Sequence, residues 1–181
     1  MFHSPLSKTL TCFVVTIAIV LSFFFDDYVY SDNSPFKQYV FSTTHTKRYK
    51  FPTHINDLII DRSEAQTSEV FIVVLNPGQA PPLHKHDNTE QVFYILEGMG
   101  TLFIGKEEEK YPVKTGDVVR IPPTVFHKIE AEGSKQMRYL AIDCFLSGRP
   151  VDEPTWDDHI KVVCHEQGWD YNKIISEQER E

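Results

Sequence analysis

The stretch Gly78-Gln79-Ala80-Pro81-Pro82-Leu83-His84-Lys85-His86-Asp87-Asn88-Thr89-Glu90-Gln91-Val92-Phe93-Tyr94-Ile95-Leu96-Glu97-Gly98 decides how the rest of the chain is read. On a strand, His84 and His86 project from the same face, because side chains alternate between faces. Two imidazoles converging in an apolar interior make a metal site. A second stretch, Gly116-Asp117-Val118-Val119-Arg120-Ile121-Pro122-Pro123-Thr124-Val125-Phe126-His127, places a third histidine just past a proline-fixed turn. His127 is the natural third imidazole, since burying three imidazoles without partners is costly.

Outward from these stretches the chain is a series of short β-branched and aromatic runs at 58–61, 69–75, 92–96, 101–104, 118–121, 126–129 and 137–145. Asn76-Pro77-Gly78, Glu97-Gly98-Met99-Gly100, Thr115-Gly116-Asp117, Pro122-Pro123 and Gly133-Ser134 punctuate them. No run demands a helix, and a parallel sheet would need crossover helices between strands. The expectation is an all-β antiparallel barrel over residues 55–148, with Phe71, Phe93, Tyr94 and Phe103 in its core. A polar, Thr-rich arm, 32–54, precedes it, with one strand expected at 38–42. After Pro150 and Pro154, the pattern Thr155-x-x-Asp158 opens a helix whose Trp156, Ile160, Val163 and Cys164 recur at helical spacing, and Gly168 stops it. This acidic tail, 149–181, is expected to fray over 176–181 and to pack on the barrel or on a second subunit.

The two histidine stretches resemble the paired motifs of the cupin superfamily, whose members are small antiparallel barrels of jelly-roll type. Gly78, five residues, His84-x-His86, then Gly98 follow the first motif; Gly116, five residues, Pro122, then His127 follow the second. Thr124 stands where the second motif has Gly, and Ala131 where it has Asn; both departures are expected to touch the turn rather than the ligands. The resemblance implies a mononuclear divalent metal (Fe, Mn, Ni or Zn) on His84, His86, His127 and a fourth ligand on the following strand. Counting forward from His86 selects Glu90, whereas counting back from Gly98 selects Gln91. Only one can face the metal, and the apolar run 92–96 does not fix the parity. Register with the closing glycine favours Gln91, leaving Glu90 as an entrance group and candidate catalytic base.

Residues 10–25 (LTCFVVTIAIVLSFFF) carry no charge. As a helix they would span about 24 Å, short of the ~30 Å hydrocarbon core. With Lys8 before and Asp26-Asp27 after, residues 1–31 read as a cleaved signal peptide or a retained signal anchor. The remainder is expected outside the cytoplasm, secreted, periplasmic or anchored, and touching the membrane only through that segment. Cys144 and Cys164 then remain as a pair, either one disulfide or two buried thiols. His54 reads as a surface or edge residue, and Glu107-Glu108-Glu109 as a hairpin tip. His159 and His165 lie six apart on the tail helix and make no metal pair.

The chain has 181 residues and a net charge of −8, enough for one domain with its own core. Nine acidic and three basic residues of the 151–181 tail supply most of that charge, so the balance says little about the barrel. Lys and Arg cluster only in short groups such as Lys47-Arg48-Tyr49-Lys50, which argues against nucleic acid as a partner. Two functions are open on this sequence. One is a metal-dependent enzyme acting on a small organic molecule, by dioxygenase chemistry or by isomerase or lyase chemistry. The other is a non-catalytic module binding a small ligand or metal. A homodimer is compatible with either.

Overall fold

The structure, a computed structural model, describes residues 38–176 and 179–180. The leader, with its export and cleavage, lies outside those residues, as do 177, 178 and 181 of the tail end expected to fray; 179–180 instead pair with a strand. In chain order the strands are β1 (Lys47–Lys50), β2 (Ile55–Ile60), β3 (Ser68–Leu75), β4 (Thr89–Glu97) and β5 (Met99–Ile104). They continue with β6 (Glu109–Lys114), β7 (Val118–Ile121), β8 (His127–Ala131), β9 (Met137–Phe145) and β10 (Glu179–Arg180), and two helices, α1 (Trp156–Gln167) and α2 (Tyr171–Ser176), lie between β9 and β10. The larger sheet runs β10-β1-β2-β3-β9-β4-β7 and the smaller β6-β5-β8. Every pairing is antiparallel. This is the jelly-roll expected from the sequence.

Strict alternation on two central strands builds the interior. On β4, Thr89, Gln91, Phe93 and Ile95 are buried while their neighbours face outward. On β9, Met137, Tyr139, Ala141, Asp143 and Phe145 are buried in the same way. Phe71, Phe93 and Phe103 join the core as expected, but Tyr94 does not: its place on β4 is the outer face, and it is exposed.

The N-terminal arm differs from expectation. Residues 38–42 form no strand, and Tyr39 and Val40 there are exposed. The strand comes later, at β1, because Tyr49 sits opposite Asn56 on β2 and is buried against Trp156. Strand β6 was not legible either, since it is charged and carries Pro112. It forms the edge of the smaller sheet, where a missing N–H is tolerated. The hairpin tip before it is 105–108, and Glu109 already belongs to the strand.

Helix α1 begins and ends where its capping residues sit. The Thr155 hydroxyl accepts the Asp158 N–H, and Gly168 closes the helix in the left-handed conformation. Of the two packings open to the tail, the structure has it on the barrel of its own chain. Trp156 lies against Phe71 and Tyr49, with ring centroids 4.8 and 6.2 Å apart, and its backbone N–H donates to the Asp61 carboxylate. Cys144 and Cys164 are both free thiols. Among the described residues, no helix is long and apolar enough to cross a membrane.

The motif glycine at 98 is required twice over. Its φ is +83°, and a Cβ there would lie 2.8 Å from the Gln136 carbonyl oxygen and 2.9 Å from the Met137 Cα. Gly98→Ala is therefore expected to lower stability by at least about 2 kcal/mol, read from the urea midpoint at constant slope. An unchanged midpoint would show that the β4–β5 corner relaxes freely.

Candidate metal centre

Loop 76–88 reaches the site by forming a two-way bridge with the start of β8. The His84 N–H donates to the His127 carbonyl at 3.2 Å, and the His127 N–H donates back at 2.8 Å. His84 thus sits in a single bridge, and His86 in an irregular segment rather than on the continuous strand expected. The bridge aligns the rings instead: His84 and His127 have centroids 4.4 Å apart, His84 and His86 5.0 Å, His86 and His127 5.8 Å. One ring nitrogen from each falls within 4.8 Å of the other two.

The backbone also sets which nitrogen is offered. His84 Nδ1 lies 2.8 Å from the Pro82 carbonyl, and His127 Nδ1 3.0 Å from that of Val125. A carbonyl only accepts, so both Nδ1 atoms carry the proton and both Nε2 atoms keep their lone pairs. Burial pushes the basicity of all three imidazoles down, His127 to about 3, with the neighbouring imidazoles adding to it at His86 and His127. All three are neutral and ready to ligate near pH 7.

Thr124, at the position where glycine was expected, has φ +66°, a rare conformation for a β-branched residue. Its N–H donates to the His86 carbonyl at 2.7 Å. That bond is a main-chain one that glycine would make equally, so the exchange itself leaves the contact to His86 unchanged.

The structure separates the two candidates for the fourth position. Gln91 is inward and 4% exposed, and its Nε2 donates to Asp143 Oδ1 at 2.8 Å. Glu90 is on the outer face of β4, where Arg120 takes its carboxylate with contacts of 2.8 and 2.6 Å. It does not line the cavity. The role of entrance base expected of Glu90 is corrected on this ground: period-two alternation gives the interior to one residue of the pair only.

The histidines open onto a cavity of about 350 Å³. Phe71, Phe93 and Tyr139 wall it from the sheet, and Trp156, His159 and Ile160 from α1. His54 lines it too, against the expectation of a surface position: it is buried, stacked on Phe51 at 4.6 Å, with its Nδ1 2.9 Å from the Thr53 hydroxyl. It stays outside the ligand cluster, as expected. His159 is held through Nδ1 by Glu153 at 2.6 Å, and Arg62 bonds the same carboxylate oxygen at 3.1 Å. No sequence signal marked Arg62, Glu69, Asp143 or Glu153, each of which reads as an ordinary surface charge until strand parity is known.

The residues present suit a metal ion. Among the described residues, the buried side-chain atoms without a hydrogen-bond partner are Asn56 Oδ1, His86 Nε2, Gln91 Oε1, His127 Nε2 and Trp156 Nε1. All five residues line this one cavity. Four of the atoms, all but Trp156 Nε1, are lone-pair donors of the kind divalent transition metals take.

A family profile described as a cupin domain matches residues 71–143. Auxin-binding protein 4 of Zea mays is 40% identical over 97 residues, which cover 50% of this chain and 46% of that protein. An oxalate-binding protein of Thermotoga maritima is 34% identical over 72 residues, 40% of this chain and 58% of the relative. The chain thus spans about half the length of the curated relatives it matches. Among solved structures, a predicted oxalate decarboxylase from Thermotoga maritima superposes with a TM-score of 0.55 at 21% identity, over 60% of this chain and 100% of that one. The polyketide cyclase RemF of Streptomyces resistomycificus does so at 0.54 and 19%, over 62% and 82%. At these identities the likeness is one of fold.

Burial lowers the basicity of His54 to about 3, well below the ~6.5 of an exposed imidazole. As pH falls from about 6.5 toward 3, the unfolded chain takes up this proton and the folded one does not, so stability is lost in that window. A His54→Phe variant is free of this loss. Its stability relative to wild type should rise by up to about 1.4 kcal/mol per pH unit below about 6.5, in urea melts of the metal-free proteins. A difference constant between pH 7.5 and 5 would contradict this account.

Proposed function

We propose that this chain, whose residues 71–143 match a cupin-domain profile, is a cupin that holds one divalent transition-metal ion on His84, His86, His127 and Gln91 and acts on a small organic anion beside it. One observation supports the reading: among the described residues, the partnerless buried side-chain polar atoms all belong to the walls of a single cavity. Leaving such atoms unpaired costs about 1–3 kcal/mol each, and a guest with lone-pair acceptors and a bound cation removes that cost.

Three neutral imidazoles and a neutral amide offset none of a divalent charge, so a bound ion would supply strong Lewis-acid polarisation of an anionic or enolisable guest. The chain's own groups do the rest. Phe71, Phe93, Tyr139 and Trp156 exclude water and grip an apolar body. His159, its Nδ1–H committed to Glu153, keeps Nε2 for a proton of the guest, the work first assigned to Glu90. Dioxygenase-type chemistry would be feasible with iron in this site, and manganese, nickel or zinc would serve isomerase or lyase chemistry. The apolar leader would place the site outside the cytoplasm. The names of the Zea mays and Thermotoga maritima relatives, as binding proteins for auxin and oxalate, favour a second reading, a non-catalytic module for a small organic ligand.

Protein purified without added metal is expected to carry about one divalent ion per chain by elemental analysis. His127→Ala should abolish this occupancy and Gln91→Ala should lower it severalfold, whereas Glu90→Ala should leave it unchanged. Metal loss in Glu90→Ala but not in Gln91→Ala would sink the ligand assignment. Oxygen uptake by the iron-loaded protein with catechols, diketones or flavonols identifies the dioxygenase, and turnover without oxygen the isomerase or lyase. Full occupancy with no turnover leaves the binding module.

A further inference from the structure

Three strands carry a polar row through the interior where an apolar row would pack. Glu69 on β3 is in register with Asp143 on β9, and Asp143 is in register with Gln91 on β4. The three are 0, 4 and 4% exposed. Arg62, in a 3-10 turn (Arg62–Glu64) before β3, closes the row from below, buried at 2%. Resting on the metal reading above, we propose that Asp143, braced by Glu69 and Arg62, is a positioning residue that turns the Gln91 amide so that its oxygen, not its nitrogen, faces the histidine cluster.

The direction of each hydrogen bond follows from the groups that make it. A guanidinium has donors only. Arg62 Nε and Nη2 lie 2.7 and 2.8 Å from Glu69 Oε2 and Oε1, so Glu69 is held as a two-oxygen acceptor. Asp143 lies beside Glu69 in the register of β3 and β9. Gln91 Nε2 can only donate, so Asp143 Oδ1 accepts its N–H, at 2.8 Å. Gln91 Oε1 is thereby left pointing away from the row, buried and without a partner, on a wall of the cavity that His86 and His127 share.

An amide with its nitrogen toward the cluster would offer no lone pair to a cation and would set N–H groups against it. The row therefore determines whether the fourth position is a ligand at all. A row serving only to knit the sheet would need no such direction.

The test is cobalt(II) affinity, by chelator competition and by the visible spectrum of the bound ion, in four chains: wild type, Gln91→Ala, Asp143→Leu and the double variant. Asp143→Leu should weaken cobalt binding about tenfold or more, the usual size for removing a partner of a metal ligand. It should alter the spectrum as Gln91→Ala does, and add nothing further in the Gln91→Ala background. Asp143→Asn should bind within about threefold of wild type, because its amide N–H can donate to Glu69 while its oxygen still accepts from Gln91. This isosteric variant keeps the test decisive if the leucine variant fails to fold. An Asp143→Leu loss that persists undiminished without Gln91, or a tenfold loss in Asp143→Asn, overturns the inference. A wild-type chain that takes up no cobalt overturns instead the metal reading beneath it.

Discussion

Two backbone hydrogen bonds between His84 and His127 hold the site together, because they tie the loop that leads into the larger sheet to a strand of the smaller one. His127 opens β8 of the smaller sheet, whereas His84 lies on the loop leading into β4 of the larger one. The bonds fix the loop beside His127, and Gly78 and Gln79 pair with Ala131 farther along β8. The Thr124 N–H then fixes His86 from the other side. Side chains that must converge within a few ångströms are thus placed by main-chain contacts, which lose less rotamer freedom than side-chain contacts would. Strain at Thr124, of the order of 1–2 kcal/mol for a non-glycine residue in this conformation, is tolerated at the turn that delivers a ligand.

The second constraint is electrostatic. The same interior contains Arg62, Glu69, Asp143 and Gln91, and desolvating charges there is expensive unless every donor finds an acceptor. Arg62 meets this by spending its donors on Glu69 and Glu153, and Glu153 in turn holds His159 from the tail helix. One guanidinium therefore anchors groups on opposite walls of the cavity: the amide of Gln91 through β3 and β9, and the imidazole of His159 through residue 153. Helix α1 belongs to the site for the same reason. Its Trp156 and His159 close the cavity that the strands leave open, so the tail is a wall rather than an appendage.

Much of this was legible in the sequence, and the boundary follows physical lines. Spacing between glycines, prolines and histidines is a local property, and it identified the jelly-roll, the three imidazoles and the caps of α1. Parity was not local on 92–96, where every side chain is apolar. Tyr94 was accordingly placed inside when it is outside. Gln91 against Glu90 rested on counting from Gly98, and the burial pattern of β4 now supplies the parity that the run itself lacks. Strand β6 was missed because an edge strand needs neither an apolar face nor a full set of N–H donors. His54 was misjudged because what buries it, Phe51 and Trp169, comes from the arm and from beyond α1, far apart in the chain.

Polar residues are the hardest to place from sequence, and here they carry the chemistry. Glu69, Asp143 and Gln91 occupy inward positions on adjacent strands, where alternation alone would call for Val or Ile. Replacing such a row with apolar side chains is often neutral or stabilising in other proteins, so its presence is weak evidence of a contribution to stability. The row ends in an unpaired amide oxygen at the cavity, not in a closed set of bonds. A network built for stability alone would have satisfied its last acceptor, since an unsatisfied one is worse than none. The open end is best understood as the place where something other than protein completes the bonding.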